Sequence, residues 1–195
     1  MILGILGSGS GSNMQAILDA IDDGSLDARI ALVLSDQAGA FILERARRRG
    51  LETGLIDCGG FRSKFPEEAQ EQTAARLKDA GVELICLAGF LRLVKRPLLD
   101  AFPGRILNIH PSLLPAFPGL ESWKQALEAG ATESGCTVHL VDAGMDTGAI
   151  LLQERVPILP GDSPDSLHAR IQAAEHRLYP AAIRHIASLP QAPAP

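Results

Sequence analysis

The chain has 195 residues, of which 46% are hydrophobic, so it is long enough to bury one core and a single domain is predicted. Its net charge of −5, without a basic cluster beyond Arg45 to Arg49, argues against a nucleic-acid-binding surface. Three isolated cysteines without metal-ligand spacing indicate reduced thiols, and the sequence shows neither a signal peptide nor an apolar stretch of roughly 20 residues. The composition therefore predicts a cytoplasmic protein without a membrane segment.

The first predicted elements are a strand, a glycine-rich loop and a helix. Ile2 to Leu6 is apolar throughout, as expected of a strand buried on both faces, and Gly7 to Gly11 has a glycine at every second position. A helix follows at once, with Ser12 and Asn13 as candidate N-cap residues. Free N–H groups and the positive end of the helix dipole would face the loop, which predicts a site for a phosphomonoester. The alternative is a flexible connection whose glycines only permit a tight turn.

Strands and helices alternate through the next part of the chain. The predicted elements are the strands Arg29 to Leu34, Thr53 to Cys58 and Val82 to Ala88, and the helices Ala38 to Arg49 and Glu67 to Asp79. This alternation predicts an α/β fold with an open, mostly parallel, twisted sheet and helices on both faces. Asp36 is interpreted as a turn residue. Because ligands of such sheets bind beyond the carboxyl ends of the strands, Gly7, Gly89 and His110 are expected to converge.

The next strand ends in two polar side chains and a stiff loop. The apolar run Arg105 to Ile109 delivers an amide and an imidazole two positions apart, and Pro111 and Pro115 prevent a regular element from continuing. Alternate side chains of a strand point the same way, so Asn108 and His110 can face one reacting atom. On the alternative interpretation, His110 is a structural residue that caps the strand.

A hairpin is predicted after this loop. Gly135 to Val141 and Ala149 to Val156 are rich in β-formers, and the segment between them is too short for a crossover helix. They should pair antiparallel and extend the sheet. The connecting loop brings Asp142 and Asp146 close to His139, but one loop supplies too few converging ligands, and no metal is expected.

The last predicted element is a long helix. It should begin after Ser163, and Pro180 should kink it or end its first half. On periodicity alone, Glu175 is expected to be a solvated acid. The domain would then span residues 1–189, and residues 190–195 would form a disordered tail.

Seven separate pieces of the chain resemble the folate-dependent formyltransferases in their order and spacing. These pieces are Gly9 to Asn13, Leu87 to Phe90, Asn108 to Pro115, Phe117 to Leu120, Gly135 to His139, Asp146, and Glu175 to Pro180. The resemblance implies a Rossmann-like formyltransferase domain that uses 10-formyltetrahydrofolate to formylate glycinamide ribonucleotide in purine synthesis. It also implies a cytoplasmic monomer or homodimer with small-molecule substrates, without nucleic acid, membrane or metal.

The same resemblance implies roles for individual residues. It assigns catalysis to Asn108, His110 and Asp146, with Thr137 and His139 supporting the site. The implied contacts to the ribonucleotide come from Gly11, Ser12, Asn13, Gly89, Pro111, Gln172 and Glu175. The implied contacts to the folate come from Lys64, Phe90, Leu91, Arg92, Leu93, Val94, Asn108, Asp142 and Asp146. Lys64 stands where relatives often carry an Arg.

These residue types suit formyl transfer. An amine attacks the formyl carbon, and the resulting oxyanion needs donors such as the Asn108 amide and a protonated His110. Asp146 can hold the imidazolium and accept or relay the proton that the amine loses. Ser112 is rejected as a nucleophile, because the attacking amine makes a covalent enzyme intermediate unnecessary. The alternatives are a formyltetrahydrofolate hydrolase and a phosphate- or nucleotide-binding module without turnover.

Overall fold

The computed structural model describes residues 1–61 and 64–189, so the predicted disordered tail lies outside the described residues. The elements in chain order are β1 Ile2–Leu6, α1 Ser12–Asp22, β2 Arg29–Ser35, α2 Phe41–Arg48, β3 Thr53–Leu55, α3 Glu67–Asp79, β4 Leu84–Leu87, α4 Arg96–Ala101, β5 Ile106–His110, α5 Ser122–Glu128, β6 Glu133–Leu140, β7 Ile150–Pro157 and α6 Pro164–Ser188. The predicted alternation of strands and helices is confirmed.

Within the described ranges the strands form one sheet in the order β3-β2-β1-β4-β5-β6-β7. The strands from β3 to β5 in that order pair in parallel, whereas β6 is antiparallel to β5 and β7 is antiparallel to β6. The predicted mostly parallel sheet with an antiparallel extension is thus confirmed. The chain runs from β1 outward to β3 and then returns to β4 on the other side of β1, which creates the switch point where α/β sheets bind ligands.

Helices cover both faces of the sheet, as predicted. Successive side chains of a strand point to opposite faces. Leu84 and Cys86 accordingly lie in the core beneath α1, α2 and α6, while Ile85 and Leu87 lie in the core beneath α3 and α4. Each fully buried aliphatic side chain contributes about 1.5–3 kcal/mol. The two cores hold the sheet rigidly, and its carboxyl edge remains available for a site.

Several element boundaries differ from those predicted. β3 ends at Leu55 rather than at Cys58, because the Asp57 carboxylate accepts a 2.8 Å hydrogen bond from the N–H of Gly59 and turns the chain. α2 begins at Phe41 rather than at Ala38. The short helix α4 was not predicted, since its six residues are too few to show a helical period.

The last helix is continuous, and the interpretation that Pro180 ends its first half is wrong. Its start agrees with the prediction: the Ser163 hydroxyl accepts a 3.2 Å hydrogen bond from the N–H of Ser166, and the N–H of Ser163 donates to the Ser166 hydroxyl. A proline inside a helix costs about 3 kcal/mol. Pro180 is buried, and the apolar face of α6 packs on the sheet on both sides of it, which offsets that cost.

The carboxyl ends of the central strands lie side by side. Leu6 is in register with Leu87, and Leu87 with Asn108. The buried hydroxyl of Tyr179 is 3.0 Å from the carbonyl oxygen of Leu87 and 3.2 Å from that of Leu107, so α6 ties β4 to β5. The N–H of Ser8 donates to the carbonyl of Gly89. The predicted convergence of the loops after these strands is confirmed.

Candidate active site

The glycine loop joins β1 to α1 in a conformation that requires glycine at one position. Gly11 has φ +74°, and a Cβ on it would lie within 2.7–2.9 Å of Ile42. The N–H of Ile42 donates to the carbonyl of Gly9, and the Arg45 Nε donates to the carbonyl of Ser10 at 2.9 Å. The loop is therefore fastened to α2, which contradicts a merely flexible connection.

The start of α1 differs from the prediction. Gly11 is the N-cap and Ser12 is already helical, so the interpretation of Ser12 and Asn13 as capping residues is wrong. The left-handed Gly11 takes the cap position because Ile42 leaves no room for a side chain there. No side chain caps this helix in the described part of the chain. The N–H groups of the first turn thus stay available to a ligand.

Asn108 lies in the middle of β5, opposite His139 on β6. The His139 Nδ1 is 2.8 Å from the carbonyl oxygen of Leu140, which can only accept, so Nδ1 carries the proton. Its Nε2 then accepts from the Asn108 Nδ2 at 3.1 Å. Burial lowers the pKa of His139 and favours this neutral form. His139 thereby orients the Asn108 amide. The second N–H of that amide is not used in this hydrogen bond.

His110 is buried beside Asp146. The His110 Nε2 is 3.0 Å from the carbonyl oxygen of Phe117 and donates to it. Its Nδ1 is 3.4 Å from the Asp146 Oδ2, longer than a well-formed hydrogen bond. Nδ1 is therefore the nitrogen that can exchange a proton in the cleft. Such distances often shorten when a substrate binds.

The two acidic residues of the hairpin loop, Asp142 and Asp146, lie in different surroundings. Asp146 has φ +56°, and its Oδ2 accepts a 2.9 Å hydrogen bond from the N–H of Gly119 while its Oδ1 lies 3.7 Å from the His139 Nε2. Asp142 is exposed, and its Oδ1 accepts from the N–H of Gly144 and the hydroxyl of Thr147. Asp142 therefore shapes the loop, whereas the Asp146 carboxylate lies between the two histidines.

The proline-bounded loop after β5 is held by hydrogen bonds to its carbonyls. The Thr137 hydroxyl donates to the carbonyl of Ser112 at 2.6 Å and accepts from the N–H of Leu114 at 3.0 Å. The Ser122 hydroxyl donates to the carbonyl of Pro111 at 2.7 Å. Ser112 itself is fully buried and donates to the carbonyl of Ala116. Thr137 thus holds the loop after β5, and the Ser112 hydroxyl is already used within that loop.

The loop predicted to bind folate begins at Gly89 with φ +69° and exposes some of its side chains. Leu91 is 65% exposed, Leu93 and Phe90 are partly buried, and Val94 is buried in the core. Only backbone groups and the more exposed side chains of this loop can meet a ligand. Val94 acts through packing.

Arg92 belongs to a buried ion pair that sequence reasoning missed. Its Nε lies 2.6 Å from the Asp36 Oδ2, and the side chains are 4% and 1% exposed. Its Nη1 donates to the carbonyl of Phe61 at 2.8 Å and to that of Lys64. The interpretation of Asp36 as a turn residue omitted this pair. The sequence signal that could have revealed this pair was the position of Asp36 directly after β2, at the same edge of the sheet as the site.

Lys64, the other predicted folate-binding cation, is exposed. Its Nζ lies 5.2 Å from the centre of the Phe61 ring. The side chain is therefore free to reach a ligand at the rim, whereas the Nε and Nη1 of Arg92 are bonded inside the protein.

Glu175 is buried rather than solvated, so the expectation from periodicity is wrong. The carboxyl is 6% exposed, and its Oε2 accepts a 3.0 Å hydrogen bond from the Asn13 Nδ2. Burial raises the pKa of Glu175 to about 7, although the hydrogen bond from Asn13 acts to lower it. The Asn13 Oδ1 is buried without a partner among the described residues. Gln172, one turn away on α6, is partly buried.

The described residues contain neither a metal-binding cluster nor a membrane-spanning helix. No group of three or more His, Cys, Asp or Glu side chains is placed to hold a metal ion there. No helix in these ranges has the length and apolar composition that crossing a membrane requires.

Fold and site together define an α/β protein with a glycine loop at a helix N-terminus and a cluster of Asn108, His110 and Asp146 at one edge of its sheet. The sequence profile of the formyl transferase family matches residues 2–183. The chain belongs to the formyl transferase family.

Relatives of known name resemble nearly the whole chain. It is 41% identical to phosphoribosylglycinamide formyltransferase of Escherichia coli K12 over 179 residues, 92% of this chain and 84% of that protein. It is 52% identical over 186 residues to the trifunctional purine biosynthetic protein adenosine-3 of Drosophila pseudoobscura pseudoobscura. That match covers 94% of this chain, which spans 14% of the length of the trifunctional protein.

Solved structures agree with the fold. Glycinamide ribonucleotide transformylase 1 from Symbiobacterium toebii superposes with a TM-score of 0.91 at 53% identity, over 96% of this chain and 87% of that one. Phosphoribosylglycinamide formyltransferase from Bacillus halodurans gives a TM-score of 0.91 at 41% identity, over 96% of both chains. The predicted fold class is confirmed.

Proposed function

We propose that this chain transfers the formyl group of 10-formyltetrahydrofolate to the amino group of glycinamide ribonucleotide, a step of purine synthesis in the cytoplasm. The observation that carries the proposal is the cluster of Asn108, His110 and Asp146 beside the anion-binding loop in a member of the formyl transferase family. The names of the bacterial relatives support the choice of acceptor.

The phosphate of the acceptor would bind at the first turn of α1. The N–H groups after Gly11 have no helical partner, and the helix dipole favours an anion there. Ser12 and Arg45 line one end of a cavity that continues along α1 to Asp23, so a cation lies near the first turn. The ribose and the amine would extend toward Asn13, Glu175 and the Gly89 turn.

The folate would lie against the loop after β4. Flat aromatic rings need apolar contacts and a few fixed polar groups. Leu91 is 65% exposed and Met145 is 56% exposed, and they lie on the two loops that flank the cleft. Asp142 and the backbone of the Gly89–Val94 loop supply polar groups, and Lys64 offers a cation at the rim for the glutamate tail.

The residues of the cluster would divide the reaction between them. As the amine attacks the formyl carbon, the free N–H of Asn108 and a proton on the His110 Nδ1 stabilise the developing oxyanion. Asp146 holds that imidazolium and relays the proton that the amine loses. The new bond joins the amine nitrogen to the formyl carbon. The bond from that carbon to N10 of the folate breaks, and N10 takes up a proton, so atoms and charge balance without a covalent enzyme intermediate.

Two alternatives use the same geometry. A hydrolase would direct water instead of an amine at the formyl carbon, and a binding module would use the loop without turnover. The fastened anion loop favours a phosphorylated acceptor over water, and the buried His110 beside Asp146 favours turnover over binding alone.

The test is a spectrophotometric assay for loss of 10-formyltetrahydrofolate, with and without glycinamide ribonucleotide. Consumption that requires the ribonucleotide and yields its formylated form supports the proposal. Consumption without the ribonucleotide supports the hydrolase, and binding without consumption supports the module.

A further inference from the structure

Ser8 joins the glycine loop to the loop that follows β4. Its hydroxyl donates to the Asp36 Oδ1 at 2.6 Å and accepts from the N–H of Leu91 at 3.0 Å. Its own N–H donates to the carbonyl of Gly89 at 3.1 Å. One small side chain therefore fixes the distance between the loop proposed to hold the phosphate and the loop proposed to hold the folate.

Asp36 extends this connection to Arg92. Its two carboxylate oxygens are divided: Oδ1 accepts from Ser8, and Oδ2 accepts from the Nε of Arg92 at 2.6 Å and from the Nε2 of Gln37 at 2.9 Å. Burial acts to raise the pKa of Asp36, but these three hydrogen bonds outweigh it and hold the pKa below its usual range. The carboxylate thus stays charged and fully bonded.

Arg92 completes the network on the far side. Its Nη1 donates to the carbonyls of Phe61 and Lys64, so the segment that presents Lys64 is bound to the same guanidinium. Buried polar networks in which each member is satisfied are rigid, and a displacement of one member strains the others. A displacement of the glycine loop would therefore reach the Gly89–Val94 loop and the backbone of Lys64 through these hydrogen bonds.

We propose that Ser8, Asp36 and Arg92 are positioning residues that couple the binding of the phosphorylated acceptor to the binding of the folate. The inference rests on the proposed function, because it assigns one ligand to each loop. An acceptor phosphate that orders the glycine loop would, through Ser8, order the N–H of Leu91 and its neighbours for the folate. By linkage, the folate must tighten the binding of the acceptor by the same factor.

The experiment measures that factor. Isothermal titration gives the Kd of glycinamide ribonucleotide with and without saturating tetrahydrofolate, which carries no formyl group and so cannot react. The wild-type protein should show a ratio of about fivefold or more, the lower end of typical coupling between sites. Ser8→Ala removes the hydroxyl bridge but leaves the ion pair, and its ratio should fall to nearly one.

Three further proteins sharpen the result. Ser8→Thr restores a hydroxyl and should restore the coupling. Ser188→Ala is the matched control, since Ser188 is exposed in the last turn of α6 and should leave the ratio unchanged. Asp36→Asn keeps the shape but weakens the hydrogen bonds from Ser8 and Arg92, and should lower the ratio in protein that thermal unfolding shows to be folded.

The outcomes separate this inference from the proposed function. If wild-type protein formylates the ribonucleotide but its Kd ratio is one, or if folded Ser8→Ala keeps the wild-type ratio, the coupling role is overturned and the activity stands. If wild-type protein shows no ribonucleotide-dependent turnover, the proposed function itself is overturned. If the Kd ratio falls to nearly one in Ser8→Ala but keeps its wild-type value in Ser8→Thr, the result supports a positioning role rather than a general loss of structure.

Discussion

Two pairs of acidic and basic side chains lie at the same edge of the sheet, and they are built differently. Asp36 and Arg92 are 2.6 Å apart and almost fully buried, with three protein donors on the carboxylate. His110 and Asp146 are 3.4 Å apart, and the Asp146 side chain is 12% exposed on a residue with φ +56°. The carboxylate of the first pair is occupied by protein donors, whereas the second pair is not joined by a well-formed hydrogen bond and keeps bonding capacity.

The difference separates structure from chemistry. A buried ion pair whose hydrogen bonds are all made specifies geometry, and removal of one partner leaves an uncompensated charge. A loose pair held in a strained loop can change its protonation and partners during a reaction. We therefore expect substitutions of the first pair to act on stability and positioning, and substitutions of the second to act on turnover.

The largest expected effect is on turnover. His110→Ala and Asp146→Asn should each lower kcat by roughly two to four orders of magnitude, the range for positioned acid–base and oxyanion groups. Because the two residues would act as a unit, the double variant should lose far less than the product of the single losses. Steady-state kinetics and titration of both substrates test this, since binding should survive. Fully multiplicative losses would contradict the pairing.

The next expected effect is a loss of stability when the pair of Asp36 and Arg92 is broken. Asp36→Ala leaves the Arg92 guanidinium buried without its carboxylate and should lower the free energy of unfolding by about 3–5 kcal/mol. Asp146→Ala, the matched Asp-to-Ala change, loses one hydrogen bond in a partly exposed loop and should cost about 1 kcal/mol. Urea unfolding of the two variants compares these costs. Equal losses would remove the distinction between the two pairs.

Glu175 is a third buried acid, and its carboxyl accepts a hydrogen bond from the Asn13 amide rather than from a cation, which predicts a pH effect. Its pKa of about 7 exceeds its ordinary value of 4.5, so between these pH values the folded chain keeps a proton that the unfolded chain has lost. Stability should therefore fall as pH rises through this window and level off above it, by an amount on the order of 3 kcal/mol.

Glu175→Gln stays neutral and should abolish that part of the pH dependence, so the variant should gain stability over the wild type as pH rises from 5 to 8. Glu128→Gln, at an exposed position, is the matched control and should follow the wild type. Urea unfolding across this pH range makes the measurement. Parallel stability curves for wild type and Glu175→Gln would show that Glu175 is ionised throughout.

The anion loop is tested by adding a charge. Ser12→Asp places a carboxylate where the phosphate is proposed to bind, and should raise the KM for glycinamide ribonucleotide by about 2 kcal/mol or more, roughly thirtyfold. The folate KM should hardly move, and the fold should survive because an acid in the first turn suits the helix dipole. Ser12→Ala controls for loss of the hydroxyl. An unchanged KM in folded Ser12→Asp would place the phosphate elsewhere.

The smallest effect is expected at Lys64. This exposed side chain keeps the charge of the Arg that relatives often carry but lacks its bidentate fork. Lys64→Ala should raise the folate KM only a few-fold, as for an exposed charge pair, and Lys64→Arg should not raise it. Steady-state kinetics at varied folate concentration decide this. A hundredfold rise would show that Lys64 is buried against the bound folate.

Much of the fold and of the central cluster could be predicted from local sequence. The strand boundaries of β1 and the helix α3 agree with the prediction at both ends, because apolar runs, acids in the first turn and bases in the last turn are local signals. The pairing of Asn108 with His139 was not predictable residue by residue, since register depends on where the hairpin folds back.

The sequence by itself determined the alternation of strands and helices, the glycine turn before α1 and the polar pair that ends β5, because each depends on residues a few positions apart. Only the tertiary structure decided the burial of Glu175, whose partner Asn13 is 162 positions away, and the pairing of Asp36 with Arg92 across 56 positions. The periodicity of apolar residues shows which face of a helix or strand is buried. Whether one charged side chain is buried, and with which partner, depends on the elements that the completed fold packs against it.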